Sequence, residues 1–301
     1  MGLPYACYTF LTKSNLIGKL KTKKLKEYDN FSVSLKCLMI GRQKLSLTDI
    51  QMNSASKRDK IEKNLLQGWA EPFLKYQGCD SVSSLDNSNF ESAGLLWNLN
   101  QSLSTRKNVS DIESYDLILD YGTSEHIFNP AMSIYNSIKL LKIGGIFNAL
   151  LPVCGWNDHG FYQFSPSFFY SLDRKDFELQ KLYFFVYDRE SVDIIFWDGL
   201  SNDFKEHVHG AFDGSFAANC LEYMNKPITA WAVYKKNSKV NEDNFMHDTQ
   251  QLIYKEKWNG NNLDGLNSNS EKLSIYKMPD FIKPYLFRRY LRKIALKLTE
   301  I

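Results

Sequence analysis

Two short segments concentrate the residues suited to acid-base or metal chemistry: Glu125 and His126 in GTSEHIFN, and His159, Tyr162 and Gln163 in NDHGFYQFS. An imidazole can hold or release a proton near neutral pH and can ligate a divalent ion. A carboxylate beside it can assist either task or merely pin two loops together. A further pair, His207 and His209 in KEHVHG, has the alternate spacing that turns two imidazoles to one side of a strand, and reads as part of a solvated loop. Two acids, Asp86 and Asp120, close apolar runs, as do Gly41 and Arg42, while Asn98 and Asn100 follow another. A GxSxG elbow, a P-loop and a Cys-His signature are all missing from the text, so covalent nucleophilic catalysis is not signalled.

The elements that must position these residues alternate in type. Apolar runs of strand length occur at 34–40, 81–85, 93–97, 115–120, 145–151, 179–188 and 228–235. Between the first two, Ile61, Leu65, Leu66, Trp69 and Phe73 recur at helical spacing. Between the fourth and fifth, Pro130 to Leu141 carries Ile134, Ile138 and Leu141 on one face, with Gly144-Gly145 as a stop. Strands alternating with helices predict a parallel sheet covered on both faces, with any ligand beyond the carboxyl ends of the strands. Gly41, Arg42, Asp86, Asn98, Asn100, Asp120, Glu125, His126, His159 and Gln163 all follow or close a strand, and Gly41, Asp86, Asn98, Asp120, Glu125, His126, His159 and Gln163 are expected to converge on one cleft.

Composition narrows the classes. The 301 residues carry 37 Lys+Arg against 34 Asp+Glu, a surplus of +3 that gives no phosphate-seeking field, so nucleic acid is not an expected partner. Hydrophobic residues at 44% supply a core and exclude global disorder. The five cysteines, at 7, 37, 79, 154 and 220, are odd in number and form no CxxC pair, which fits a reducing, cytoplasmic setting without a disulfide framework or a thiolate zinc site.

The segment YDLILDYGTSEHIFNPAMSIYNSIKLLKIGGIFNALLP (115–152), followed by HGFYQFSPSFFYSL (159–172), resembles the class I S-adenosylmethionine-dependent methyltransferases, in particular their small-molecule branch. The likeness extends by pattern over about residues 34–236 and by motif over 115–172. It implies an α/β fold with a Rossmann-like doubly wound seven-stranded sheet, mostly parallel with the last strand antiparallel. It implies S-adenosyl-L-methionine as cofactor, with Gly41, Arg42, Asp86, Asn98, Asn100 and Asp120 around it: Asp86 on the ribose hydroxyls, the two asparagines on adenine, Arg42 on the carboxylate. The first strand ends in LMIGRQ, with one glycine where the family has a Gly-rich loop.

The expected activity is in-line methyl transfer to a small hydroxylated or sugar-like acceptor. His159 is the general base, Asp120 and His126 complete the catalytic set, and Glu125, His126, Tyr162 and Gln163 contact the acceptor. A methyltransferase-like scaffold that has lost the cofactor is the alternative. Some quinone-pathway relatives hold a metal with an acid three positions before the Glu-His pair; that position is Gly122 here, and no metal is expected.

Three divisions are expected: a helical extension over 1–30, the methyltransferase-like domain over 31–236, and a polar linker with a basic amphipathic helix over 237–301. Residues 13–28 place Leu16, Ile17, Leu20 and Leu25 under a lysine-rich face, a docking helix rather than a membrane-surface one. The last helix, Phe281 to Leu298, could contact an anionic membrane or a second copy, and docking is favoured.

Overall fold

A computed structural model describes residues 2–27, 34–105, 111–201 and 226–250. The expectations for His207, His209 and the basic C-terminal helix lie outside the described residues. The chain opens with β1 (Leu3–Pro4), α1 (Tyr5–Ser14) and α2 (Leu16–Glu27), followed by β2 (Lys36–Ile40), β3 (Lys44–Ser46), α3 (Asp49–Asp59), β4 (Gly68–Trp69) and α4 (Glu71–Tyr76). Next come β5 (Ser81–Asp86), β6 (Leu95–Leu96), β7 (Tyr115–Tyr121), α5 (Pro130–Leu140), β8 (Leu141–Cys154) and α6 (Pro166–Ser171). The described part ends with β9 (Phe177–Val186), β10 (Phe196–Asp198), β11 (Ile228–Lys236) and α7 (Glu242–Asp248).

One sheet has eight strands in the order β10-β9-β11-β8-β7-β2-β5-β6, and β1, β3 and β4 form a small second sheet. Strands β6, β5, β2, β7 and β8 are parallel, and β11 enters antiparallel between β8 and β9. The seven expected strands are all present; the eighth, β10, is a three-residue ribbon on the edge of β9.

The strands are apolar on both sides because both faces are covered. In β2, Cys37 and Met39 face one core with Leu117 and Leu119, while Leu38 and Ile40 face the other with Ile118. The first core is closed by α1, α3 and α4, including Tyr8, Phe10, Leu11 and Phe73. The second is closed by α5, α6 and α7, including Ile134, Ile138, Phe169 and Phe245.

Two expectations about local structure are corrected. The 61–73 pattern is not one helix: a 3-10 turn over Lys63–Leu66, β4 and α4 divide it, because Gly68 sits at φ +74 and β4 pairs with β3. The long crossover helix is instead α3, started by a capping box in which the Thr48 hydroxyl accepts from Gln51 N and the Gln51 side chain accepts from Thr48 N. Gly144-Gly145 does not stop α5, which ends at Leu140 and passes directly into β8. Gly144 lies at φ +83 inside the strand, beside a register shift against β7.

The basic second helix is docked, with Leu16, Ile17 and Leu20 buried and Leu25 half exposed. Its lysines hold the amino ends of the strands: Lys24 pairs with Asp116 at 2.6 Å and Lys21 with Asp80 at 3.3 Å. Those carboxylates also accept the backbone N–H of Lys36 and of Leu35 at the entry to β2. No helix among the described residues is long and apolar enough to cross a membrane.

Candidate functional site

The parallel block places the ends of β6, β5, β2, β7 and β8 side by side, so each candidate residue leaves the sheet at the same edge. The loop after β7 is the most tightly built. Asp120, fully buried, accepts from the backbone N–H of Thr123 at 3.1 Å and of Ser124 at 3.4 Å, and from the Ser124 hydroxyl. Ser124 is tied in turn to Ser133 of α5 at 3.0 Å. These bonds fold Ser124–His126 into a 3-10 turn. Asp120, expected in the cofactor and catalytic sets, is thus fully buried with its carboxylate engaged in holding the loop.

Burial raises the Asp120 carboxyl to about 6 despite those donors. A carboxyl raised in the folded state binds its proton more tightly there than in the unfolded chain. Its contribution is favourable below the unfolded value of about 4 and is lost as pH rises through about 6. Asp120→Asn is expected to flatten the pH dependence of stability between pH 4 and 7 by on the order of 3 kcal/mol. Denaturant titrations of both proteins across that range check this; parallel curves would refute it.

That turn projects Glu125 inward and His126 outward. Glu125 is 0% exposed, and neither of its carboxylate oxygens has a hydrogen-bond partner. Its carbonyl is clamped from the following loop by the backbone N–H of Phe161 at 2.8 Å and of Tyr162 at 3.3 Å. Gly160 permits this approach, since a Cβ there would stand 2.9 Å from the Glu125 carbonyl oxygen. The same loop brings in His159: Glu125 Oε1 lies 3.8 Å from His159 Nε2 and 3.9 Å from His126 Nε2. The two imidazole rings meet edge to face at 5.0 Å. Burial, with the Asp120 charge behind it, pushes Glu125 up to about 8, and burial lowers both histidines below their ordinary value. All three groups are thus favoured in neutral form.

The rest of the loop is held by its own side chains. Gln163 accepts from Trp156 N at 2.9 Å and donates to Asn157 at 3.3 Å, and the Tyr162 hydroxyl donates to the Phe128 carbonyl at 2.7 Å. Both were expected on the acceptor; in the structure both fasten the His159 loop. The sequence reading missed Trp156, whose ring lies 5.0 Å from His159 and whose Nε1 donates to Ile228 O at 3.1 Å. Its place three residues before the histidine was the available signal. It also missed Phe128, 72% exposed, and read the aromatic run from Phe161 to Tyr170 as core packing, whereas Phe161 is 67% exposed and stands edge to face with Phe128 at 6.0 Å beside the cluster.

At the end of β2, Gly41 adopts φ +69, and a Cβ would meet Thr123 Oγ1 at 2.6 Å. The close approach that this glycine allows is therefore used by the protein's own Thr123, which donates to Ile40 O at 2.7 Å. Gln43 fills the loop from the other side, donating to Ile40 O at 2.8 Å. Arg42 is spent: it pairs with Glu71 at 2.7 Å, donates to Glu91 O at 2.9 Å, and lies 4.2 Å over the Trp69 ring. These contacts engage the guanidinium that was expected on a cofactor carboxylate.

At the end of β5, Asp86 Oδ1 accepts from Asn87 N at 2.6 Å and Ser88 N at 3.3 Å, and Oδ2 has no partner among the described residues. Asn98 accepts from Asn100 at its backbone and side-chain nitrogens, and Asn100 accepts from Asn129 N at 2.9 Å. The asparagines are exposed and cap a turn before α5, so their polar groups are committed to backbone as much as to a ligand. A cavity of about 410 Å³ lies away from the strand ends, between α5, α6 and α7, and none of the candidate residues lines it.

The sheet has the strand order and the single antiparallel insertion of the class I methyltransferase fold, a Rossmann-like doubly wound α/β sheet. No protein-family model and no curated protein matches the chain. Among solved structures, a putative methyltransferase from Bacillus halodurans aligns with a TM-score of 0.35 at 13% identity, over 74% of this chain and 99% of that one. Geranyl diphosphate methyltransferase in complex with S-adenosylmethionine aligns at 0.35 with 8% identity, over 73% of this chain and 84% of that one. The CMeT domain of citrinin polyketide synthase aligns at 0.27 with 15% identity, over 43% of this chain and 32% of that one, so the match spans about a third of its length. The fold follows from the strand order itself.

Proposed function

We propose that this protein is a methyltransferase that uses S-adenosylmethionine on a small hydroxylated or sugar-like acceptor. The observation that carries the reading is the row of parallel strand ends, with Asp86 at one end and the Glu125, His126 and His159 cluster at the other. Asp86 suits the nucleoside half of the cofactor, because its unpartnered oxygen can accept from a ribose hydroxyl. The methionine half finds no glycine-lined cradle, since Thr123, Gln43 and Arg42 fill or leave that region.

When bound, the cofactor supplies an electrophilic methyl group. The task left to this chain is to hold an acceptor hydroxyl in line and to receive its proton. In the metal-free protein His159 fits the second role, because its imidazole is held neutral and its Nε2 is without a partner. Phe128 and Phe161 offer exposed apolar faces to the carbon side of such an acceptor.

Isothermal titration with S-adenosylmethionine and S-adenosylhomocysteine tests the reading. Asp86→Ala is expected to weaken both at least tenfold, about 1.4 kcal/mol. The alternative is a scaffold that keeps the sheet without the cofactor, and it is favoured by the filled loop around Gly41. Absence of binding by either nucleoside to the intact chain would decide for the scaffold.

A further inference from the structure

We infer that Glu125, His126 and His159 form a binding site for one divalent transition-metal ion of the zinc type. The first observation is Glu125 itself: a fully buried carboxylate with both oxygens unpartnered, on a backbone that its neighbours hold from two sides. An acid placed this way gains nothing from the fold unless something else meets its oxygens, since an unsatisfied buried polar group is costly. The second is His159, whose Nε2 is likewise buried without a partner and faces the same space. The third is the mutual distance. One ligand atom from each of the three residues lies within 4.8 Å of the other two, with Oε1 almost equidistant from the imidazole nitrogens at 3.8 and 3.9 Å.

These separations are too long for hydrogen bonds and too short for unrelated groups. Around a tetrahedral ion with bonds of about 2.0–2.1 Å, neighbouring ligand atoms stand roughly 3.3 Å apart. The two Glu125–imidazole pairs would close by about 0.5 Å and the two imidazole nitrogens by up to about 1.5 Å, within the reach of side-chain rotation. His126 and His159 are partly exposed, with side-chain accessibilities of 41% and 29%, so an ion could enter from the side of the imidazoles. Two imidazoles with one carboxylate select borderline ions over magnesium or calcium, which prefer sets of oxygens.

The sequence reading expected no metal, because Gly122 stands where an acid would complete a set within one loop. The structure offers a third ligand from elsewhere, His159 on the loop after the next strand. With the ion present, activation of an acceptor hydroxyl would pass from the His159 imidazole to the metal. The binding inference does not depend on the methyl-transfer reading.

The test uses the full chain stripped with a chelator and contains neither S-adenosylmethionine nor an acceptor. Titration with ZnCl2 is expected to show one tight equivalent with a rise in Tm, and MgCl2 at the same concentration is expected to leave Tm unchanged. Substituted Co2+ should give the visible bands of nitrogen and oxygen ligation without a thiolate charge-transfer band. His126→Gln, whose side chain is partly exposed, and Glu125→Gln should each lose at least 100-fold in Zn2+ affinity while retaining the circular dichroism of the parent. The double variant His207→Gln/His209→Gln should bind as the parent does. Loss of the tight equivalent in that double variant, its survival in His126→Gln, a thiolate band with Co2+, or no tight equivalent in the parent would each overturn the inference. Should Glu125→Gln fail to fold, the His126→Gln titration alone decides.

Discussion

Trp231→Ala is expected to destabilise the protein by about 3–5 kcal/mol, the range for truncating a large buried aromatic. Trp231 is 0% exposed at the centre of β11, the antiparallel strand inserted between β8 and β9. Its ring stacks on Tyr183 at 5.6 Å and 10°, and Phe10 of α1 packs on it at 5.5 Å. The loss therefore opens a cavity under three elements at once, β11, β9 and α1. Equilibrium denaturation should show the drop, and a cycle with Phe10→Ala should return a coupling of roughly 1 kcal/mol. A Trp231→Ala cost below about 1 kcal/mol, or strict additivity with Phe10→Ala, would mean that α1 does not rest on the sheet as described.

Lys236→Met should cost about 3 kcal/mol, and for an electrostatic rather than a packing reason. Lys236 ends β11 and is 2% exposed. Its Nζ donates to Leu141 O at 2.7 Å, to Ile138 O at 3.0 Å and to Glu113 Oε1 at 3.2 Å. Ile138 lies in the last turn of α5 and Leu141 just beyond it, where carbonyl groups lack helical partners and the helix carries partial negative charge. A cation there completes the helix that follows the Glu125 turn. Methionine keeps most of the volume but removes the ammonium from both carbonyls, leaving Ile138 O with the backbone N–H of Leu141 alone. Burial lowers the lysine below its ordinary value, and Glu113, itself partly exposed, opposes that only in part. Thermal unfolding near neutral pH measures the effect. A variant as stable as the parent would show that water replaces the ammonium.

The alternation of apolar runs and helical spacing was enough to place all seven strands and the order of layers, because in a sheet covered on both faces burial is written as continuous hydrophobic text. YDLILDY is buried at every position in β7, and ITAWAVYK at all but one in β11. The antiparallel insertion of the last strand was implied by the resemblance to the methyltransferase sheet, and β11 is found so between β8 and β9. The same text placed Glu125, His126 and His159 at strand ends, and they do come together.

Pattern could not say how each polar group is spent, since that depends on partners far along the chain. Arg42 meets Glu71, Asp120 turns onto its own loop, Gln163 onto Trp156, and Thr123 takes the space beside Gly41. Periodicity misread 61–73 because a strand pairing over Gly68-Trp69 outweighs helical spacing, a tertiary gain invisible in local text. Likewise the isolation of the Glu125 carboxylate, and its near-equal distance from two imidazoles, arise only when the loop after β8 closes over the turn after β7. Residue types and spacing determined which groups reach the carboxyl edge of the sheet. Tertiary packing decided which of them keep a free atom there, because hydrogen bonds to the protein's own backbone compete for the same oxygens and nitrogens that a ligand would need.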